Sequence, residues 1–585
     1  MARASKDWAF VRKRCATTAK RLFDHFDRTR RNILKDVAKE FYPLGVAGLE
    51  KGVEELSDEA PYDETNKLLT TKPVDRVRKG AAGFHGNLTS PAKRWFRLAR
   101  PSFVAAGEGA KEGPDETLDR LTEAVEWSFR RGNVYKSLPK LYEHVICMGF
   151  GCMLVTRDAE RIVKADTLRI GTYALGVDDT GAVCRVARRF SWTAEQILTR
   201  FGKWGCTEEM LKAAEEGDQR RRWTVVNLVE PNATGGMRAY DKVAKELKLS
   251  SDMVYRSVYW LEKATDDQPQ AGVLEASGFT VCPIVAPRLD YELGDVYGRG
   301  RGMDGLDLAR GLQSFQYDIL RISGNAAEPA VVASSEFKEN GLKLNRGAVN
   351  YARFGESRQA LVMPALPQQP SSDGARQDRI DAEAELDDLF FVSAFAAIDS
   401  LKMQKGVRTA TEIDALIREN MEKLNPVVTN FDKELLDPLV TAVAKYTLAA
   451  GVVPMTPEDI EGLRGLNVEY VSPIHLAAKQ SRISSLTAFL GAIEPLVKAV
   501  PDMLDKLDGD AIVDSYAEMY GTPAKCLRNA EAVKGLRDAR ARQAAQAAAM
   551  EQAAALAKGA KDMGGVPVDD AHLGGALMRG LQGEG

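Results

Sequence analysis

The spacing of apolar residues changes period twice along this chain, and that change limits the fold more than any single motif. From about 156 to 295 the pattern alternates and is rich in β-branched residues: RIVKADTLRI, GAVCRVARRFSW, RWTVVNLVEP, MVYRSVYWLEKA and FTVCPIVAPRLDY. Such segments, separated by turn residues, predict short antiparallel strands. On either side the period is near 3.6. Leu118, Leu121, Val125 and Phe129 mark one helix face, and Leu306, Leu308, Leu312, Phe315, Ile319 and Ile322 mark another over 303–327. Strands grouped in one run with helices on both sides predict an α+β chain, not repeated βαβ units. One helical insert, FSWTAEQILTRFG, places Trp192-Thr193 ahead of a helix over Ala194–Phe201.

The remaining chain reads as helix with a few breaks. Residues 1–40 form a basic amphipathic helix, with Phe10, Val11, Leu22, Phe23 and Phe26 apolar and Arg12, Lys13, Arg14, Arg28, Arg30 and Arg31 charged. Its charges are either a solvated face or a partner-docking arm. Residues 41–65 read as loop, and LPKLYEHVICMGFGCMLV as a buried helix ending at Gly149–Gly151. A long helix is predicted over 374–400, a loop over 401–409, and further helix from Thr411-Glu412 and over Asp432–Gly451. Everything from 477 to 558 reads as helix, and the Gly-rich 559–585 as a flexible tail.

Composition narrows the function classes. The 585 residues suffice for roughly two to four domains. Eighty basic against 83 acidic residues give a net charge of −3, which excludes a globally basic nucleic-acid binder but not a local DNA contact. Seven cysteines without disulfide spacing predict a reducing compartment. Met1–Lys20 is charged throughout, and the longest near-apolar run, Val145–Val155, is 11 residues where a membrane helix needs about 20. The expectation is a soluble protein made in the cytoplasm, with no membrane partner.

Few residues suggest chemistry. No G-x-x-x-x-G-K-[ST], H-E-x-x-H or G-x-S-x-G occurs, and the five histidines are scattered. Gly300–Gly305 fits G-x-G-x-x-G, but an antiparallel section precedes it and a helix follows, so the glycines read better as a flexible lead into that helix. Cys147 and Cys152 lack partners for a closed zinc site and read as core. Not an enzyme, with no catalytic residue, cofactor or metal, is the expectation. The alternatives are a nucleotide-binding α+β enzyme using Gly300–Gly305, or a helical adaptor protein.

The informative charge pattern is at 373–400, where eight acids, including Asp378, Asp381, Glu385 and Asp388, face two arginines. This is either an ordinary solvated face or a wall that must not bind a polyanion. A 26-residue helix spans about 39 Å, beside which duplex DNA carries about 23 phosphates. A basic wall of that length would grip DNA, and an acidic one lets it slide. The next loop reverses sign with Lys402, Lys405 and Arg408 around Gly406.

Several segments, in order, carry a family resemblance over about residues 10–475. They are NLTSPAKRWFRL at 87–98, LPKLYEHVICMGFGCMLV at 138–155, FSWTAEQILTRFG at 190–202, YRSVYWLE at 255–262, PIVAPRLDYELGDVYGRGRGMDGLDLARGLQ at 283–313, TATEIDALIRENMEKLNPVV at 409–428 and ELLDPLV at 434–440. With them the chain resembles the portal, or head-to-tail connector, proteins of short-tailed bacteriophages. The resemblance implies a portal fold: an α/β wing at 1–302, a stem of helices at 303–327 and 374–400, a clip at 328–373, a tunnel loop at 401–410, wing-return helices at 411–475, a helical crown at 476–558 and a tail at 559–585. It implies a ring of twelve copies at one capsid vertex of the virion, a conduit for DNA packaging and ejection. Its partners would be double-stranded DNA, a terminase, tail adaptors, the major capsid protein and a scaffolding protein. Asp378, Asp381, Glu385 and Asp388 would line the tunnel, and Lys402, Lys405 and Arg408 would reach the DNA.

Overall fold

The period-two block forms antiparallel sheet, as its alternation predicts. In the computed structural model, residues 7–50, 67–99, 116–232, 242–247, 249–250, 252–327, 331–333, 362–364, 371–396, 410–453, 467–476, 486–487, 489–493, 507–520, 526–528 and 530–563 are described. In chain order the strands are β1 (Phe96–Ala99), β2 (Met153–Asp158), β3 (Ile162–Thr167), β4 (Tyr173–Val177), β5 (Val183–Thr193) and β6 (Arg222–Pro231). They continue with β7 (Tyr255–Leu261), β8 (Val273–Phe279), β9 (Ile284–Val285), β10 (Val331–Ala333), β11 (Val362–Pro364) and β12 (Asn467–Tyr470). Strands β4 to β8 make a five-stranded sheet in chain order, every pair antiparallel. Strands β3-β2-β9 make a second, smaller sheet.

The large sheet is covered at one end by the helical insert. Thr193 accepts from the Gln196 amide while Gln196 Oε1 accepts from the Thr193 amide, a reciprocal cap that starts the helix Ala194–Phe201 at the residue the sequence predicts. That helix and Glu208–Glu215 bury Ile197 and Met210 against Val225, Leu261 and Leu274 in a small separate core. The opposite face of the sheet holds Arg256 and Glu230, both buried and paired at 2.6 Å, so neither charge is left alone in the interior.

The helical body surrounds Phe84. Its helix, Lys72–Leu88, packs on Val134–Met148, and the Phe84 ring lies 4.8–5.5 Å from those of Phe391, Phe395 and Phe431. Strand β12 pairs with β1, Tyr470 opposite Phe96, which brings the chain after 467 back to the body. Fully buried Arg288 pairs with Glu434 and donates to the carbonyls of Asp295 and Gly181, each at 2.9 Å. Residues 283–300 are thereby fastened to the π-helical segment Asp432–Leu436 between the helices Ala410–Phe431 and Asp437–Ala449.

Three expectations need correcting. Residues 43–50, read as loop, are helical, as Pro43–Gly45 and Val46–Glu50. The helix expected over 374–400 runs from Asp373 to Leu389, about 26 Å, and then breaks. Phe390 and Phe391 are both buried, and Phe391 has φ +63°, a left-handed conformation that a bulky side chain rarely adopts. The helix opposite makes room for the break: a Cβ on Gly80 would lie 2.5 Å from the Phe390 carbonyl oxygen, and one on Gly83 would lie 2.2 Å from the Phe395 ring. Nor are the glycines before 303 a flexible lead. A Cβ on Gly300 would lie 2.3 Å from the Gly149 nitrogen and 2.4 Å from the Cys147 oxygen. They permit backbone-to-backbone packing against the left-handed end of Val134–Met148.

In the last hundred residues the described elements include Gly509–Tyr520 and the 34-residue Ala530–Met563, about 51 Å long. Arg537 joins them, donating to both carboxylate oxygens of Asp510 at 2.6 and 2.7 Å.

Candidate functional site

The acidic helix is built from both its ends. Ser371 Oγ accepts from the Asp373 amide at 3.1 Å and donates to the Asp373 carboxylate at 2.7 Å, and Asp373 suits the positive end of the helix. Ala382 and Leu386 face inward onto the antiparallel helix Leu306–Ala327, where Ala309 and Leu312 are buried. Gly305 leaves the space that Leu386 and Leu389 fill.

The acids then divide into two sets. Glu383 and Asp387, four residues apart, turn toward Lys72 and Arg76, also four apart, on the helix Lys72–Leu88. Lys72 reaches Glu383 at 3.2 Å, Arg76 reaches it at 3.6 Å, and Arg76 also pairs with Asp387. Arg379 adds a 3.6 Å contact to Glu383 and donates to Gln316 Oε1 at 3.0 Å. Burial pushes the Asp387 carboxyl up, with Arg76 and Lys79 opposing the shift. The Arg76 side chain is 10% exposed, so this is a half-buried latch and not a surface pair.

Asp378, Asp381, Glu385 and Asp388 form the second set. Spaced i, i+3, i+7 and i+10, they share one face over about 15 Å, and all four are exposed. Among the described residues no lysine or arginine pairs with any of them; Asp381 accepts from Gln377 at 2.8 Å and Asp388 from Ser393. The structure thus brings these four sequence-derived residues together on one unneutralised stripe. Lys402, Lys405 and Arg408 lie outside the described residues, as does most of 328–373. The same helix pair exposes three large apolar side chains, Tyr317 (53%), Leu320 (51%) and Ile380 (53%), more than a free two-helix projection needs.

Some residues of this region escape a sequence reading. Arg76 has partners about 300 residues away; its only signal is the i,i+4 spacing of Lys72 and Arg76 matched by that of Glu383 and Asp387. A second constellation joins Ser472 Oγ to His475 Nδ1 at 2.7 Å and His475 Nε2 to both Asp432 oxygens at 3.0 Å. It contains the residue types of a hydrolase triad, but Ser472 is fully buried, and the group ties the chain after β12 to the π-helical segment Asp432–Leu436.

Other candidate chemistry resolves into packing. The close backbone approach at Gly300 occupies the space a diphosphate would need. Burial pushes the Cys147 and Cys152 thiols far up, away from the thiolate a metal requires. Among the described residues no group of three or more His, Cys, Asp or Glu is placed to hold a metal ion, and no helix is long and apolar enough to cross a membrane.

Comparison with known proteins points one way. Residues 16–527 match the family of bacteriophage head to tail connecting proteins. The chain is 29% identical over 527 residues to the portal protein of Salmonella phage epsilon15, covering 89% of this chain and 91% of that one. It is 27% identical over 490 residues to a probable portal protein of Bordetella phage BPP-1, covering 83% and 84%. Among solved structures it is similar to a chain in the neck of an empty gene transfer agent particle (12% identity, TM-score 0.32, 75% of this chain and 90% of that one). A chain from the virion of the native gene transfer agent particle gives 13%, 0.30, 72% and 89%. Both superpositions are too loose to place any element.

Proposed function

This chain belongs to the bacteriophage head to tail connecting protein family, and from that premise we propose that it is a portal: a ring of copies at one capsid vertex of the virion, through which DNA enters during packaging and leaves at ejection. The observation that carries this reading is the stripe Asp378, Asp381, Glu385 and Asp388. Four carboxylates without a cationic partner stand on the outer face of a helix whose other sides are held by Lys72 and Arg76 and by the helix Leu306–Ala327. In a ring with that stripe turned to the bore, each copy presents a wall that repels phosphate over about 15 Å. DNA then passes without being gripped.

The helix pair Leu306–Ala327 and Asp373–Leu389 would be the stem, and the segment between them the clip. The exposed Tyr317, Leu320 and Ile380 fit a stem that packs against the neighbouring copy. The loop at 401–410 comes after the break at Phe390–Phe391 and the short helical stretch 392–396, and Lys402, Lys405 and Arg408 would reach the DNA from there. A separate ATP-driven terminase would supply the work, and tail proteins would later take its place at the clip. Capsid and scaffolding proteins complete the set of partners. No catalytic step, cofactor or metal is assigned to the chain.

Negative-stain microscopy with mass by light scattering tests the ring. Twelve copies of 64.1 kDa give about 770 kDa and particles with a central hole. A monomer or dimer that does not form rings even in the presence of capsid or scaffolding protein would contradict the reading.

A further inference from the structure

The arginines of the N-terminal helix fall into two groups. One group holds the fold. Arg12 pairs with Asp266 and donates to the Ala264 carbonyl, Arg30 donates to the Tyr297 carbonyl at 2.8 Å, and Arg31 bonds Asp27 at 2.6 Å and the Leu49 carbonyl at 2.9 Å. The other group is Arg14, Arg21 and Arg28. All three are exposed, and among the described residues none pairs with a carboxylate or bonds through its side chain. Seven residues separate each from the next. On the α-helix Trp8–Phe26 and the π-helical segment Asp27–Arg31 that continues it, this spacing sets the three on one side of the rod, their backbones about 10 Å apart and about 20 Å in total. Exposed His25 lies between two of them on the same face. The fold uses none of these three charges.

We propose that this line is a binding surface for the phosphate backbone of a nucleic acid, a second contact distinct from the proposed channel. Its ligand chemistry follows from the residues. Guanidinium forks match phosphate oxygens in pairs and remain charged at any physiological pH. A row of them on a rigid helix follows a polyanion without reading its sequence. The contact rests on charge, so it is salt-sensitive. That the polyanion is the duplex genome rests on the connector reading; phosphate binding by the helix does not.

The test uses the full chain and a fluorescein-labelled 30-base-pair duplex, with anisotropy followed from 50 to 300 mM NaCl. R14Q/R21Q/R28Q should bind at least about 10-fold more weakly at 50 mM salt, with a salt slope shallower by about 2–3 for three lost phosphate contacts. R14K/R21K/R28K should keep most of that slope. If the triple variant folds poorly, Arg21→Gln alone should reduce the slope by about 0.9. Unchanged affinity and slope in the glutamine variant would overturn the proposal, as would polyglutamate binding as tightly as the duplex, which would assign the line to an acidic protein. Light scattering on the same samples separates the two readings: wild-type protein that fails to form rings counts against the connector, while the duplex titration still decides the arginine line.

Discussion

The helix Trp8–Phe26, with its continuation to Arg31, and the helix Asp373–Leu389 carry opposite charge and divide it in the same way. The first commits Arg12, Arg30 and Arg31 to the body and leaves Arg14, Arg21 and Arg28 unpaired. The second commits Glu383 and Asp387 to Lys72 and Arg76 and leaves Asp378, Asp381, Glu385 and Asp388 unpaired. In each, most of the structural charges meet partners far away in sequence, Arg31 with Asp27 and Leu49 being the exception, and the free ones repeat along one exposed face. The lesson is that the net charge of a helix says little about its role. What matters is which charges the fold has already used.

The sharpest way to break this comparison is to remove a charge on the committed side. Arg76→Met leaves Asp387 half-buried without its cation and takes one of three cations from Glu383, which should cost about 2–4 kcal/mol in urea unfolding. A loss below about 0.5 kcal/mol would mean that the latch is an ordinary surface pair.

Acid titration sharpens it through a buried group that carries no charge. Burial first, then Lys140 and Arg169, holds the His144 imidazole at about 3, below its ordinary value of 6.5. Above pH 6.5 it is neutral in both states and adds no pH dependence. Between 6.5 and 3 the unfolded chain takes up a proton that the folded chain refuses. Stability therefore falls as pH falls, by roughly 1 kcal/mol per unit, or about 2 kcal/mol at pH 5. Unfolding midpoints at pH 7 and pH 5 should show this loss, and His144→Gln should remove most of it.

Changes on the free faces should have the smallest effect. Asp378→Asn, Asp381→Asn, Glu385→Gln and Asp388→Asn should each move stability by no more than about 0.5 kcal/mol, and so should Arg14→Gln, Arg21→Gln and Arg28→Gln. A larger loss at any of these positions in the isolated protein would place that residue among the structural charges.

Local patterns were legible in the sequence, and distant packing was not. Alternation alone gave the antiparallel strands, and Thr193 with Gln196 placed the start of a helix, because both effects act within a few residues. The acidic run was also legible, but which of its acids stay exposed was not, because Glu383 and Asp387 meet cations some 300 residues earlier. The break at Phe390–Phe391 was not. Two phenylalanines in a helical pattern read as helix interior, and the cause of the break lies some 300 residues earlier, in the space left by Gly80 and Gly83. The same distance hid Arg76. Gly300 was misread because a glycine needed for close approach and one needed for flexibility look alike until the partner backbone is seen.

The most direct test of the central claim is a side-chain-resolution electron cryo-microscopy map of the assembled protein. It should show Asp378, Asp381, Glu385 and Asp388 turned into the bore without cationic partners, with Glu383 and Asp387 still on Lys72 and Arg76. A map in which those four carboxylates are buried against lysines or arginines of the neighbouring copy would contradict the account.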